Sequence, residues 1–166
     1  MKDIIIMTRR KTAGRPKQDV AARLFHYTHE HHLESIFRTG ELRTTESNIS
    51  LAREHAGPRV VWLTTNPDLI GTTANGLQLA DGRSKAQVRI EVHVPADEVH
   101  EWKDWSVRHG SSGADRARLA AAGGFREWRV VERPIPRSEW VDFGFRSDSP
   151  LLGQPAASRL DGFGLV

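Results

Sequence analysis

The segment QVRIEVHV, at positions 87–94, constrains the fold more strongly than any other part of the chain. It alternates apolar and polar side chains with a strict period of two. The apolar members are Val88, Ile90, Val92 and Val94, and the polar ones are Arg89, Glu91 and His93. A period of two places successive side chains on opposite faces of a β-strand. We therefore predict a strand here, with the apolar side chains facing a core and the polar ones facing outward.

Further strand signals are spread along the chain, with short helical signals between them. Four segments are rich in β-branched and aromatic residues: LFHYT, RVVWLTT, FREWRVVERPIP and EWVDFGF. Asn-Pro-Asp turn residues end RVVWLTT. ADRARLAAA, at 114–122, is helical by propensity. Several strands with few, short helices favour an α+β fold over a doubly wound sheet.

One further helix is predicted directly after LFHYT. Thr28 is a good N-cap for a helix over about 29–38, and Gly40 is placed to end it. Its apolar face, at the spacing i, i+3, i+4, consists of Leu33, Ile36 and Phe37.

The length of 166 residues is that of one domain. We expect a basic arm over 1–23, one domain over 24–146 and a loosely ordered tail over 147–166. The absence of cysteine excludes disulfides and a thiolate zinc site. No apolar run approaches the roughly 18–20 residues that span a bilayer. This composition favours a cytoplasmic protein without membrane contact.

The net charge of +3 is unevenly distributed. The arm contains seven cations but only two anions, Asp3 and Asp19. The cations are Lys2, Arg9, Arg10, Lys11, Arg15, Lys17 and Arg23. A solvated face is one interpretation of such a run. An anionic partner, such as nucleic acid or a dinucleotide, is the other.

Four histidines lie within seven positions, at His26, His29, His31 and His32. His29 and His32 have a spacing at which two imidazoles can share zinc on a helix. However, the chain has neither HExxH nor a downstream ligand pair, so we expect no metal. The GxSxG elbow and the glycine-rich phosphate loops are also absent.

A different set of polar residues is distributed over three predicted strands. His26 and Thr28 share one face of the first strand, Thr64 and Thr65 end the second, and Glu127 opens the third. Imidazole and hydroxyl groups can hold the hydroxyls and amide of a nucleotide. A carboxylate can stabilise an oxocarbenium-like ribosyl cation.

Three segments carrying these residues resemble motifs of the ADP-ribosyltransferase superfamily, and most of all its DNA-targeting toxins. LFHYTHEHHLESIFRTGEL is similar to the first motif, VVWLTTNPD to the second and REWRVVERPIPRSEW to the third. They occur in the family's order and span roughly residues 24–140. The resemblance implies a split, mostly antiparallel sheet core and an enzyme that uses NAD as its substrate, without a metal.

The resemblance also implies roles for individual residues. His26 would bind the NAD ribose, with Tyr27 and Thr28 beside it. Glu127 would be the catalytic carboxylate, and Arg53 would match an arginine that grips the NAD phosphates. The nicotinamide side would be lined by Trp62, Thr64 and Thr65. The acceptor of ADP-ribose would be a molecule such as nucleic acid, reached through the basic arm.

Each of these residues also has a structural interpretation. His26 can be a half-buried structural residue, and Tyr27 and Trp62 can be core aromatics. Glu127 can pair with neighbouring arginines, and Glu132 and Glu139 are rival carboxylates. The alternative functions are a non-catalytic nucleotide- or nucleic-acid-binding module on the same fold, and a pure interaction protein.

Overall fold

The computed structural model describes residues 22–47, 49–50, 57–69, 84–121 and 123–145. The predicted arm, apart from residues 22 and 23, lies outside this part of the chain. Arg53 and the predicted tail also lie outside it.

The described residues form an α+β structure, as predicted. Its strands are β1 (Ala22–Thr28), β2 (Glu41–Leu42), β3 (Val61–Thr64), β4 (Val88–Val94), β5 (His100–Glu101), β6 (Trp128–Val131), β7 (Ile135–Pro136) and β8 (Trp140–Phe145). Its α-helices are α1 (Leu33–Thr39), α2 (Trp102–Arg108) and α3 (Gly113–Ala120). Short 3₁₀ turns cover Glu30–His32, Ala96–Glu98 and Arg137–Glu139.

The strands pair antiparallel throughout this part of the chain. Six of them form one sheet in the order β5–β6–β3–β1–β4–β8, and β2 and β7 form a separate pair. Although β1 is the first of the described strands, it lies between β3 and β4, so its residues occupy the middle of the sheet.

The alternating segment forms β4 as predicted, and its four apolar side chains are buried. Glu91, predicted to face outward, lies on the opposite sheet face but is only 6% exposed. It is covered because Arg23 on β1 donates to it twice, from Nε at 2.7 Å and from Nη2 at 3.0 Å. A buried carboxylate is tolerated when such a partner satisfies both oxygens.

Two apolar clusters cover the two faces of the sheet. On one face, Leu24 of β1 and Leu63 of β3 pack with Leu33 of α1. On the other face, Trp62 of β3 and Val130 of β6 pack with Trp102 of α2. Successive side chains of β1 and β3 therefore point to opposite faces of the sheet and have different surroundings.

The helix predicted over about 29–38 begins later than predicted. Thr28 remains in β1, opposite Val88, and His29 is the N-cap of the 3₁₀ turn Glu30–His32, because its Nδ1 accepts a hydrogen bond from the His31 backbone N–H at 3.1 Å. The α-helix itself begins at Leu33. The predicted end is correct: Gly40 follows α1 in the left-handed conformation, with φ of 67°.

Among the residues described, no helix is long and apolar enough to cross a membrane.

Candidate functional site

His26 lies in the middle of the sheet and is fixed by the neighbouring strand. Its Nδ1 is 3.0 Å from the backbone oxygen of Trp62 on β3. Because a carbonyl oxygen only accepts, Nδ1 must carry the proton, and the neutral ring keeps the lone pair on Nε2. In the described part of the chain, no group occupies that lone pair. Nε2 is therefore an acceptor without a partner among the described residues.

The environment of His26 keeps the imidazole neutral. Burial lowers the pKa of His26 below its ordinary value of 6.5, and the hydrogen bond to the Trp62 carbonyl opposes this shift without cancelling it. The ring therefore accepts at Nε2 at neutral pH and could receive a hydrogen bond from a hydroxyl or N–H group.

Thr28 lies two residues from His26 on the same face of β1. It is 7% exposed, and its hydroxyl has no hydrogen-bond partner among the described residues. Buried hydroxyls are normally paired. His26 and Thr28 together thus present an acceptor and a hydroxyl that have no partner within the described ranges.

Three predicted site residues lie on the reverse face of the sheet. Thr64 is directly opposite Phe25 in the antiparallel register, so it shares the face of Phe25 and not that of His26. The alternation along each strand gives Tyr27 and Trp62 the same orientation as Thr64.

Each of these three side chains has a structural contact on that face. The Tyr27 hydroxyl donates to the Pro67 carbonyl. The Trp62 indole donates to the Glu46 carbonyl at 3.0 Å and packs against the rings of Trp102 and Trp128. Thr64 Oγ1 accepts from the backbone N–H of Asn66 at 3.0 Å, which shapes the turn after β3.

Thr65 and Glu127 meet at the end of β3. The Thr65 N–H donates to the Glu127 carbonyl at 3.0 Å, and the Glu127 N–H donates to Gly124 at 3.1 Å. The turn uses the positive φ of Gly123 and Gly124, 75° and 68°. Glu127 is half-buried. Its carboxylate has no hydrogen-bond or ion-pair partner among the residues described.

The two rival carboxylates are both engaged. Glu132 accepts from the Trp105 indole at 2.5 Å. Glu139 accepts from Arg133 Nη2 at 2.9 and 3.1 Å. Of the three candidate acids, Glu127 is thus the one with an uncommitted carboxylate.

Cross-strand pairing relates His26 on β1 to Arg129 on β6. Phe25 pairs with Thr64, so one step along the register brings His26 opposite Leu63, whose partner on β6 is Arg129. Two strand spacings, about 10 Å, separate the His26 and Arg129 backbones on this face. Glu127 precedes Arg129 by two residues and lies in the turn that leads into β6.

Arg129 makes backbone contacts that the sequence did not predict. The sequence suggested an ion pair between Arg129 and Glu127, but Nη1 of Arg129 donates to the carbonyls of Arg126 and Trp128 at 2.9 and 3.0 Å. Their closeness in sequence indicated that Arg129 lies near Glu127, but not that it binds the backbone on both sides of it.

No group of three or more histidine or acidic side chains in the described ranges is arranged to hold a metal ion. Arg53, the predicted phosphate ligand, is not among the described residues.

Comparison with protein-family models, with curated proteins and with solved structures finds no significant match to this chain. A functional conclusion therefore depends on the geometry of the chain's own residues.

Proposed function

We propose that this protein is an NAD-dependent enzyme of the ADP-ribosyltransferase type, which cleaves the bond between nicotinamide and ribose and transfers ADP-ribose to an acceptor. The observation that carries the proposal is His26, a neutral imidazole on a central strand whose Nε2 has no partner among the described residues. Thr28 on the same face of β1 and Glu127 in the turn before β6 support it.

His26 and Thr28 would bind the ribose that carries nicotinamide. A ribose hydroxyl donates to Nε2 of His26, and the Thr28 hydroxyl is a second hydrogen-bonding group on the same face. Because both strands beside β1 are paired with it, this part of the site is rigid, which favours binding without a large ordering cost.

Glu127 would act on the charge that develops at the ribose. As the bond from C1′ to the nicotinamide nitrogen breaks, both electrons go to that nitrogen, and neutral nicotinamide leaves. The ribose becomes an oxocarbenium-like cation, which the Glu127 carboxylate stabilises. A nucleophile of the acceptor then bonds to C1′ and loses its proton to Glu127 or to water.

The acceptor in this proposal is a nucleic-acid base. The basic arm over 1–23 would contact the phosphates of the nucleic acid, and Arg53 would bind the NAD phosphates. Phosphate contacts release counterions, so acceptor binding would weaken steeply with salt. Comparing transfer to single-stranded DNA, RNA and protein at two salt concentrations tests this part separately.

The deciding experiment measures nicotinamide release and label transfer from NAD labelled in its adenosine part. We expect Glu127→Gln to reduce both by about 100-fold or more, the scale of losing one transition-state electrostatic contact. Glu132→Gln and Glu139→Gln are the matched controls, because each removes a carboxylate that already has a partner.

Those two controls should retain turnover. No nicotinamide release by the wild-type protein with any acceptor class, or Glu127→Gln indistinguishable from wild type, would contradict the proposal.

A second candidate is a nucleotide- or nucleic-acid-binding module without turnover. One observation favours it: Tyr27, Trp62 and Thr64 face the other side of the sheet and would not complete a nicotinamide pocket beside His26. Saturable NAD binding by calorimetry, lost in His26→Ala and unaccompanied by nicotinamide release, would identify this function.

A further inference from the structure

Arg129 binds the chain on both sides of Glu127. Its Nη1 donates to the carbonyl of Arg126 at 2.9 Å and to the carbonyl of Trp128 at 3.0 Å. These are the residues directly before and after Glu127. One guanidinium nitrogen therefore clamps the segment that carries the candidate catalytic carboxylate.

The other backbone groups of this segment are also held. The Glu127 N–H donates to Gly124, and the Glu127 carbonyl accepts from the Thr65 N–H. Two consecutive glycines precede the segment, and glycine restricts the backbone less than any other residue. The clamp compensates for that freedom, because it ties the turn to the regular strand β6.

Arg129 itself is well anchored. Its Nη2 lies 3.4 Å from the Glu101 carboxylate on β5, and its side chain is 18% exposed. In the sheet it lies opposite Leu63 on one side and Glu101 on the other. A planar guanidinium directs N–H groups from separate nitrogens at the carbonyls and at the carboxylate, whereas the three donors of a lysine ammonium all leave one nitrogen.

We propose that Arg129 is a positioning residue for Glu127, acting through the Arg126 and Trp128 carbonyls and not through contact with the substrate. This inference rests on the proposed function of Glu127. Its physical basis is that a displacement of about 1 Å at a catalytic group can cost about 100-fold in rate.

The test compares Arg129→Gln and Arg129→Lys with two controls. Arg126→Gln removes the neighbouring exposed cation but keeps the backbone carbonyl that Arg129 binds. Glu101→Gln weakens the anchor but keeps both carbonyl contacts. For each variant, kcat and KM for NAD are measured, together with the amide exchange rates of Thr65 and Glu127 by NMR.

We expect Arg129→Gln to lower kcat by about 10- to 100-fold with KM within about twofold, because only the transition state uses the exact place of Glu127. The kcat of Arg129→Lys should lie between those of Arg129→Gln and wild type, and the kcat of both controls should stay near that of wild type. The Thr65 and Glu127 amides should exchange at least about tenfold faster in Arg129→Gln, because the turn opens locally.

A double variant tests whether the effect passes through Glu127. In a Glu127→Gln background, Arg129→Gln should lower the remaining activity by less than about twofold. An equal loss in both backgrounds, or an equal loss in Arg126→Gln, would overturn the inference.

The exchange measurement separates this inference from the proposed function. If the wild-type protein does not cleave NAD, the proposed function fails, and faster Thr65 and Glu127 exchange in Arg129→Gln still establishes the clamp. Unchanged exchange of both amides in Arg129→Gln overturns the inference whatever the activity.

Discussion

The imidazole of His26 on β1 donates a hydrogen bond to the backbone carbonyl of Trp62 on β3, with 3.0 Å between Nδ1 and the oxygen. The bond joins two neighbouring strands and determines which ring nitrogen carries the proton. It also fixes Nε2 as the nitrogen that a ligand would meet. Both consequences can be measured.

The first prediction concerns the pH dependence of folding. Burial lowers the pKa of His26 in the folded state below its ordinary value of 6.5. The unfolded chain therefore binds a proton more readily, so the stability that depends on neutral His26 is complete above pH 6.5 and falls as the pH drops below it. Urea unfolding of wild type and His26→Gln at pH 7.5 and 5.5 measures this contribution.

The wild-type protein should lose more stability between these two pH values than His26→Gln does. The other seven histidines are the same in both proteins, so the difference between the two losses isolates His26. Equal losses would mean that the folded state does not keep this ring neutral.

The second prediction concerns Thr28, whose hydroxyl has no partner in the described structure although the residue is 7% exposed. Thr28→Val keeps the shape and removes the hydroxyl. Because no hydrogen bond to the described residues is broken, the free energy of unfolding should change by less than about 1 kcal/mol. NAD affinity should fall about tenfold, the loss expected for one ligand hydrogen bond.

Thermal unfolding and calorimetric titration with NAD measure the two quantities on the same sample. Thr28→Ser, which keeps the hydroxyl, should restore most of the affinity. A large stability loss in Thr28→Val with unchanged NAD affinity would show that the hydroxyl serves the fold.

The third prediction concerns the ion pair across β1 and β4, in which the exposed Arg23 covers the buried Glu91. Two hydrogen bonds from Arg23 lower the pKa of Glu91 in the folded state below its ordinary value of 4.5. The stability it contributes is therefore present above pH 4.5 and is lost as the pH falls through the depressed folded value. Glu91→Gln should lower the urea midpoint at pH 7 and flatten the acid limb of the stability curve.

The exposed pair Arg43–Glu41, 3.3 Å apart, is the matched control. Glu41→Gln should leave the midpoint nearly unchanged, because exposed ion pairs contribute little. If the two substitutions had equal effects, burial of Glu91 under Arg23 would have no energetic consequence.

The fourth prediction separates packing from catalysis at Trp62. Trp62→Phe keeps an aromatic ring beside Trp102 and Trp128 but removes the indole donor to Glu46. We expect a stability loss of about 1 kcal/mol, the usual worth of one hydrogen bond, and turnover within about threefold of wild type. Chemical denaturation measures the stability, and nicotinamide release measures turnover. A selective rise in KM for NAD would indicate that Trp62 contacts the ligand.

The periodicity of the sequence predicted the strands well, because burial of one face forces a period of two. It placed β4 correctly and predicted the end of α1 at Gly40. It did not predict that Arg23 covers Glu91, because that contact joins residues 68 positions apart. It also did not predict that Thr28 stays in the β1–β4 ladder and that His29 caps the 3₁₀ turn before α1.

The candidate site was predictable only in part. Alternation alone placed His26 and Thr28 together, since both belong to one strand. It could not place Thr64 relative to His26, because that requires the register between β1 and β3, and one step of register exchanges the faces. The clamp on Glu127 depends on side-chain to backbone contacts, which leave no periodic signal in the sequence.

The central position of β1 has a consequence for synthesis on the ribosome. β1 emerges before both strands that flank it, and β4 ends only at Val94. Until then, the backbone of Ala22–Thr28 has an open edge on at least one side, and open strand edges pair readily with other chains. The nascent protein therefore passes through a stage at which a chaperone that shields extended segments would improve its yield.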